Sequence, residues 1–129
     1  MRRVHGEQWG STTVEVVVVL PTFMLAVLLA VQVGMVVYAA QTAEAAAQEA
    51  VEAARGEPDH DSTGVARAST VLDATGAVTN PQIRVSRATG TVTVRVSGVA
   101  PQVVPGLGLR VAASATGPVE RFLAEPDRP

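Results

Sequence analysis

Between Val16 and Ala43 the sequence runs for 28 residues without a charged side chain. A helix needs about 20 apolar residues to cross the hydrocarbon core of a bilayer, so the run can span one with some tilt. A secretory signal is much shorter, with an apolar region of about 7–15 residues. The small residues of "VVYAA" around Tyr38 would still suit a signal peptidase. A buried helix of a soluble protein is excluded by size, because the rest of a 129-residue chain is too small to surround it. The run therefore reads as a membrane helix. Arg2 and Arg3 precede it, whereas Glu44, Glu49 and Glu52 follow it before Arg55 appears. Arginine and lysine mark the cytoplasmic side, so the expected arrangement is single-pass in the cytoplasmic membrane, N-terminus inside and C-terminal part outside.

Beyond the apolar run, "AAQTAEAAAQEAVEAARGEP" is rich in alanine and strongly helix-forming. One helix from Thr12 to Arg55 would be about 66 Å long at 1.5 Å per residue. Gly56 is placed to terminate it and Pro58 to stop it. Ala43, Ala46, Ala47, Ala50, Val51 and Ala54 recur at helical spacing and form a narrow stripe of small residues. Small residues let helices approach closely. Two uses of the stripe stand side by side: an association face of Ala43, Ala46, Ala47, Ala50 and Ala54 for another subunit, or packing against the chain's own C-terminal part.

After "GEPDHD" the periodicity changes. Val65, Ala68 and Leu72 predict a short helix between Ser62 and Gly76, capped by Asp61 or Ser62. "QIRVS" then places Ile83 and Val85 on one face, and "TVTVRVS" does the same for Val92, Val94 and Val96. A hairpin pairing Val85 with Val92 and Ile83 with Val94 needs an even-numbered loop, here Arg87 to Gly90 with Gly90 left-handed. "LRVAASAT" gives a third strand with Leu109, Val111, Ala113 and Ala115 inward. The expected fold is α+β: a long N-terminal transmembrane helix extending outside the membrane, a short second helix and a small three-stranded antiparallel sheet. Residues 1–11 form a cytoplasmic stub or leader, 12–56 the long helix, and 57–129 a small extracytoplasmic domain ending in a polar, frayed tail. With aromatics at only 3%, that domain is marginal alone and needs the long helix or a neighbour to cover its valines.

Several function classes drop out. Net charge is −2 and lysine is absent, which leaves no basic patch for nucleic acid. The lack of cysteine removes disulfides, thiol catalysis and cysteine metal sites. His60 lies between Asp59 and Asp61, but three adjacent loop residues read as a solvated turn rather than a metal site. "GLGLR" at Gly106 lacks the third glycine and following helix of a dinucleotide loop. No catalytic set, cofactor site or metal site can be assembled, and the chain reads as non-enzymatic.

One residue in the apolar segment demands a reason. Glu15 sits at its front edge, where a carboxylate is costly. Thr12 precedes it by three residues, the spacing of a capping box, and negative charge favours a helix N-terminus. The other reading starts from "WGSTTVE": a cut between Gly10 and Ser11 would make Ser11 the new N-terminus and Glu15 its fifth residue. This resembles the processing pattern of type IV pilins. "GSTTVEVVVVLP", "VQVGMVVYAAQTAEAAAQEAVEAA" and the closing "ASATGPVERF" are together similar to the TadE-like family of pilin-related membrane proteins. The resemblance implies a minor pilin or pseudopilin of a tight-adherence (Tad) pilus or related secretion system. Its partners would be the membrane, other pilin-like subunits or copies of itself, and the assembly machinery. It also implies that Glu15 pairs with the freed Ser11 amine of a neighbouring subunit. A reading from another class is an anchored extracytoplasmic binding module outside any filament, recognising its ligand through Arg84, Arg87 and Arg95 of the sheet.

Overall fold

The computed structural model describes residues 9–56 and 60–119. The order of elements is α1 (Trp9–Ala54), α2 (Asp61–Thr75), β1 (Thr79–Ala88), β2 (Thr91–Val99) and β3 (Arg110–Pro118). The three strands form one antiparallel sheet in the order β1-β2-β3, and both helices lie on the same face of it. The α+β architecture expected from the sequence is thus the one observed.

Helix α1 is continuous over 46 residues, about 69 Å at 1.5 Å per residue. Pro21 lies inside it and cannot donate a backbone hydrogen bond. Beside it the Thr22 hydroxyl donates to the Val18 carbonyl at 2.8 Å, a bond of the kind that lets apolar helices tolerate proline. Because the helix already includes Trp9, Thr12 lies inside it and is not its N-cap. The other end also departs from expectation. Gly56 does not adopt the left-handed conformation; instead an arginine from the sheet takes the Ala54 carbonyl. Pro58 lies outside the described residues.

Only the upper half of α1 joins the core. Ala43, Ala46, Ala47, Ala50 and Ala54 are fully buried, together with Leu72 of α2 and Val92, Val94 and Val96 of β2. Core residues therefore come from both sides of the 56/57 boundary. The core is thin because alanine and valine let α1 come close to the sheet. Helix α2 buries Gly64, Ala68 and Leu72, while Val65, expected inside, is 38% exposed. Gly64 takes the inner position because a Cβ there would lie 2.9 Å from the Ala50 carbonyl oxygen of α1. The N-cap of α2 is His60 and not Asp61 or Ser62. Its C-cap is Gly76, whose N–H donates to the Leu72 carbonyl.

The hairpin faces are as expected, but the register differs by two residues. Val85 pairs with Val94, Ile83 with Val96 and Arg87 with Val92, around a two-residue turn at Thr89 and Gly90. A two-residue slip leaves every side chain on its own face, so alternation alone could not distinguish the pairings. The tighter turn adds two strand pairs and carries Arg87 onto the inner face. Strand β3 starts one residue later than expected. Val111, Ala113 and Ala115 face inward, while Leu109 is 40% exposed and its carbonyl accepts from the Ala100 N–H. The expected polar tail from residue 120 onward lies outside the described residues.

Candidate membrane and assembly surfaces

The lower half of α1 is exposed wherever its side chains are described. Every residue from Thr12 to Val31 is exposed, among them Val14, Val17, Leu20, Phe23, Leu25 and Leu28. That band of 20 residues is about 30 Å long, the thickness of a bilayer core. Helix α1 is long and apolar enough to cross a membrane, and the apolar window that qualifies it is wholly unburied.

The unbroken exposure is interrupted at Gln32, which is 1% exposed, while Val33, Val37 and Tyr38 beyond it stay exposed on the other side of the helix. The Gln32 Nε2 donates to the Pro101 carbonyl at 3.2 Å. Its Oε1 accepts from the N–H of Val103 at 2.8 Å and of Val104 at 3.1 Å. One helix side chain thus satisfies three backbone groups of the loop between β2 and β3. Sequence reading missed this residue. The available signal was an amide well inside the charge-free run, since a buried polar group needs partners.

A second clasp closes the opposite end. Arg87 donates through Nε to Asp61 Oδ1 at 2.6 Å and through Nη2 to the Ala54 carbonyl at 2.8 Å. It joins the end of α1, the start of α2 and the end of β1, and it puts a cation at the C-terminus of α1, where the helix dipole favours one. Arg55 lies nearby, donating to the Pro118 carbonyl and pairing with Glu52.

The proposed site residues fall out as follows. Gly10 and Ser11 lie in the first turn of α1 by backbone; their side chains are outside the described residues. Glu15 is exposed and has no hydrogen bond or ion pair among the described residues. Ala43, Ala46, Ala47, Ala50 and Ala54 are taken up within the chain, each at 0% exposure. The stripe therefore packs on the chain's own domain. The three sheet arginines are not on one surface either. Arg87 points inward, whereas Arg84 and Arg95 pair directly on the outer face of the sheet. Asp61 is engaged by Arg87, Asp59 is outside the described residues, and no group of three metal-ligating side chains occurs among the described residues.

These features define a chain with one membrane-length helix whose upper half is the spine of a small α+β domain. The family model described as TadE-like protein matches residues 10–52, almost the whole of α1 and about a third of the chain. Over that segment the chain is similar to the TadE-like family, the one its motifs resemble. No curated protein and no solved structure gives a significant match.

Proposed function

We propose that this protein is a membrane-anchored, pilin-like subunit, a minor pilin or pseudopilin, that serves assembly of a Tad-type pilus or related secretion apparatus. The observation that carries the reading is the TadE-like match over residues 10–52, on a helix whose lower half is bare on all sides. The N-terminus is cytoplasmic, as Arg2 and Arg3 favour, and the α+β domain is outside. The protein is not an enzyme. Its partners are other pilin-like subunits, copies of itself or assembly factors, and subunits meet through the lower half of α1.

Within this reading, cleavage after Gly10 frees the Ser11 amine, and Glu15 of one subunit pairs with that amine on the next. Both charges would otherwise be costly in a low-dielectric setting. The experiment compares Glu15→Gln with Thr12→Ala in co-purification or in recovery from sheared pili, beside mass spectrometry of the native N-terminus. Glu15→Gln is expected to insert normally and lose co-assembly, while Thr12→Ala assembles. Normal recovery of Glu15→Gln refutes the pairing.

The binding-module reading keeps one supporting observation. Arg84, Arg95 and Arg110 are exposed and meet no carboxylate among the described residues. Arg84 and Arg95 directly oppose one another, an unfavourable pair that an anionic ligand would relieve. Binding of an anionic polymer by the parent that is lost in Arg84→Ala/Arg95→Ala, with co-assembly of Glu15→Gln normal, would favour it.

A further inference from the structure

We infer that the loop from Pro101 to Leu109 is a membrane foot. It seats Leu107 and Leu109 in the boundary of the bilayer that α1 crosses, with Arg110 at the level of the lipid phosphates. The inference rests on α1 being a membrane span, and it concerns the height at which the domain sits.

Depth is fixed by α1. Counting about 20 residues from Val16, the first after Glu15, places the far edge of the hydrocarbon near Met35. Gln32 is three residues short of that level, about 4.5 Å along the axis. Pro101, Val103 and Val104 are tied to Gln32 by three hydrogen bonds, so that part of the loop lies at the same height.

Non-helical backbone is tolerated at that depth only if its polar groups are satisfied within the protein. Several of this loop's backbone groups meet the requirement, above all those beside Gln32. The Val103 and Val104 N–H groups bond Gln32, Leu107 N–H bonds the Val104 carbonyl, and the Leu109 carbonyl accepts from Ala100. Pro101 and Pro105 have no N–H to satisfy. The turn from Val104 to Leu107 carries Pro105 followed by Gly106 at φ 83, the residues and the positive φ that a type II turn demands.

Charge is distributed accordingly. From Gly98 to Leu109 there is no ionisable side chain, and the first to follow is the exposed Arg110. At the other end of the domain Glu52, Arg55, Asp61 and Arg87 cluster. Leu107 and Leu109, 37% and 40% exposed, are thus exposed large apolar side chains at the uncharged end. An apolar tip followed by an arginine is the order that a lipid interface favours, the arginine reaching back to the phosphates.

The chain has no cysteine, so single cysteines can be placed freely. The full chain would carry Leu107→Cys, Leu109→Cys, Thr89→Cys or Val19→Cys, each labelled with an environment-sensitive fluorophore. Vesicles would be of phosphatidylethanolamine and phosphatidylglycerol, with and without brominated acyl chains. Labels at 107 and 109 are expected to be blue-shifted and quenched by the brominated lipids. A label at 89, in the β1–β2 turn at the far end, is expected to report water. Quenching at 19 with water-like signals at 107 and 109 overturns the foot and leaves the span standing. No quenching at 19 removes the span, and the foot with it. A blue shift at 107 that brominated lipid does not quench, and that disappears on diluting the protein in the membrane, assigns the loop to a second copy and overturns the proposal.

Discussion

Replacing Gln32 with leucine tests the structural centre of this chain. Leucine keeps the size and the helix preference, and it makes the membrane segment more apolar. What it removes is the partner of three backbone groups: the Val103 and Val104 N–H and the Pro101 carbonyl. A buried polar group left without a partner costs about 1–3 kcal/mol. The loop is half-buried at Pro101, Val103 and Val104, so the low end applies and the sum is about 3 kcal/mol. That cost falls on the loop, because Val92, Val94 and Val96 are packed by other residues. Hydrogen exchange on the full chain in lipid nanodiscs reads it directly. Opening made easier by about 3 kcal/mol accelerates exchange at the Val103 and Val104 amides about 100-fold, with the β2 amides unchanged. Acceleration of less than about threefold, equivalent to some 0.6 kcal/mol, would refute the clamp. Equal acceleration in β2 would refute its local character.

Arg87→Ala should lose about 2 kcal/mol in urea unfolding, since it strips the Ala54 carbonyl of a charge-assisted bond; the Asp61 pair, partly exposed, adds little. Arg84→Ala should change stability by no more than about 0.5 kcal/mol, or increase it by relieving Arg95, and equal losses at both positions would contradict their assigned faces. Gly64→Val should cost about 1–3 kcal/mol by forcing α2 from α1, and parental stability would show that the helices part freely. A fragment from Gly56 onward should show poor amide dispersion by NMR because Leu72, Val92, Val94 and Val96 lose their cover, whereas one from Met35 onward should be dispersed; a well-dispersed shorter fragment would refute the role of α1 as spine.

The elements legible in the sequence were those with a period. The charge-free run gave α1, and alternation gave the faces of β1 and β2, because helical and extended backbones impose those repeats on buried side chains. What escaped is what periodicity does not encode. The hairpin register escaped because a two-residue slip preserves both faces. Gly64 escaped because its inward position reflects an interhelical distance, not hydrophobicity. Arg87 escaped because an arginine in an alternating strand reads as solvent-facing until its partners, Asp61 and the Ala54 carbonyl, are placed beside it. The alanine stripe was visible, but its partner was not: small residues indicate close approach without naming what approaches. Gln32 is the instructive case, a polar residue in an apolar run whose loop lies about 70 residues away in sequence.

Two polar side chains now bracket the apolar band of α1, and they differ in how they are satisfied. Gln32, on the domain side, meets all its partners within the chain. Glu15, at the other end, has none among the described residues, and the capping explanation weakens because the helix begins before Thr12. Sixteen residues lie between them, a rise of about 26 Å, so both lie near the edges of a ~30 Å hydrocarbon core. A carboxylate held there without a partner among the described residues is suited to one in another chain. The two substitutions should therefore separate cleanly. Gln32→Leu should perturb the isolated chain, as exchange at Val103 and Val104 reports. Glu15→Gln should leave that exchange untouched and act only when subunits meet, where an unpaired buried amine costs about 3–5 kcal/mol, a loss of roughly two to four powers of ten in association. Dimer or co-assembly titration in nanodiscs measures the second, hydrogen exchange the first. A Glu15→Gln chain that is itself loosened, or that associates as well as the parent, would place the role of Glu15 within its own helix.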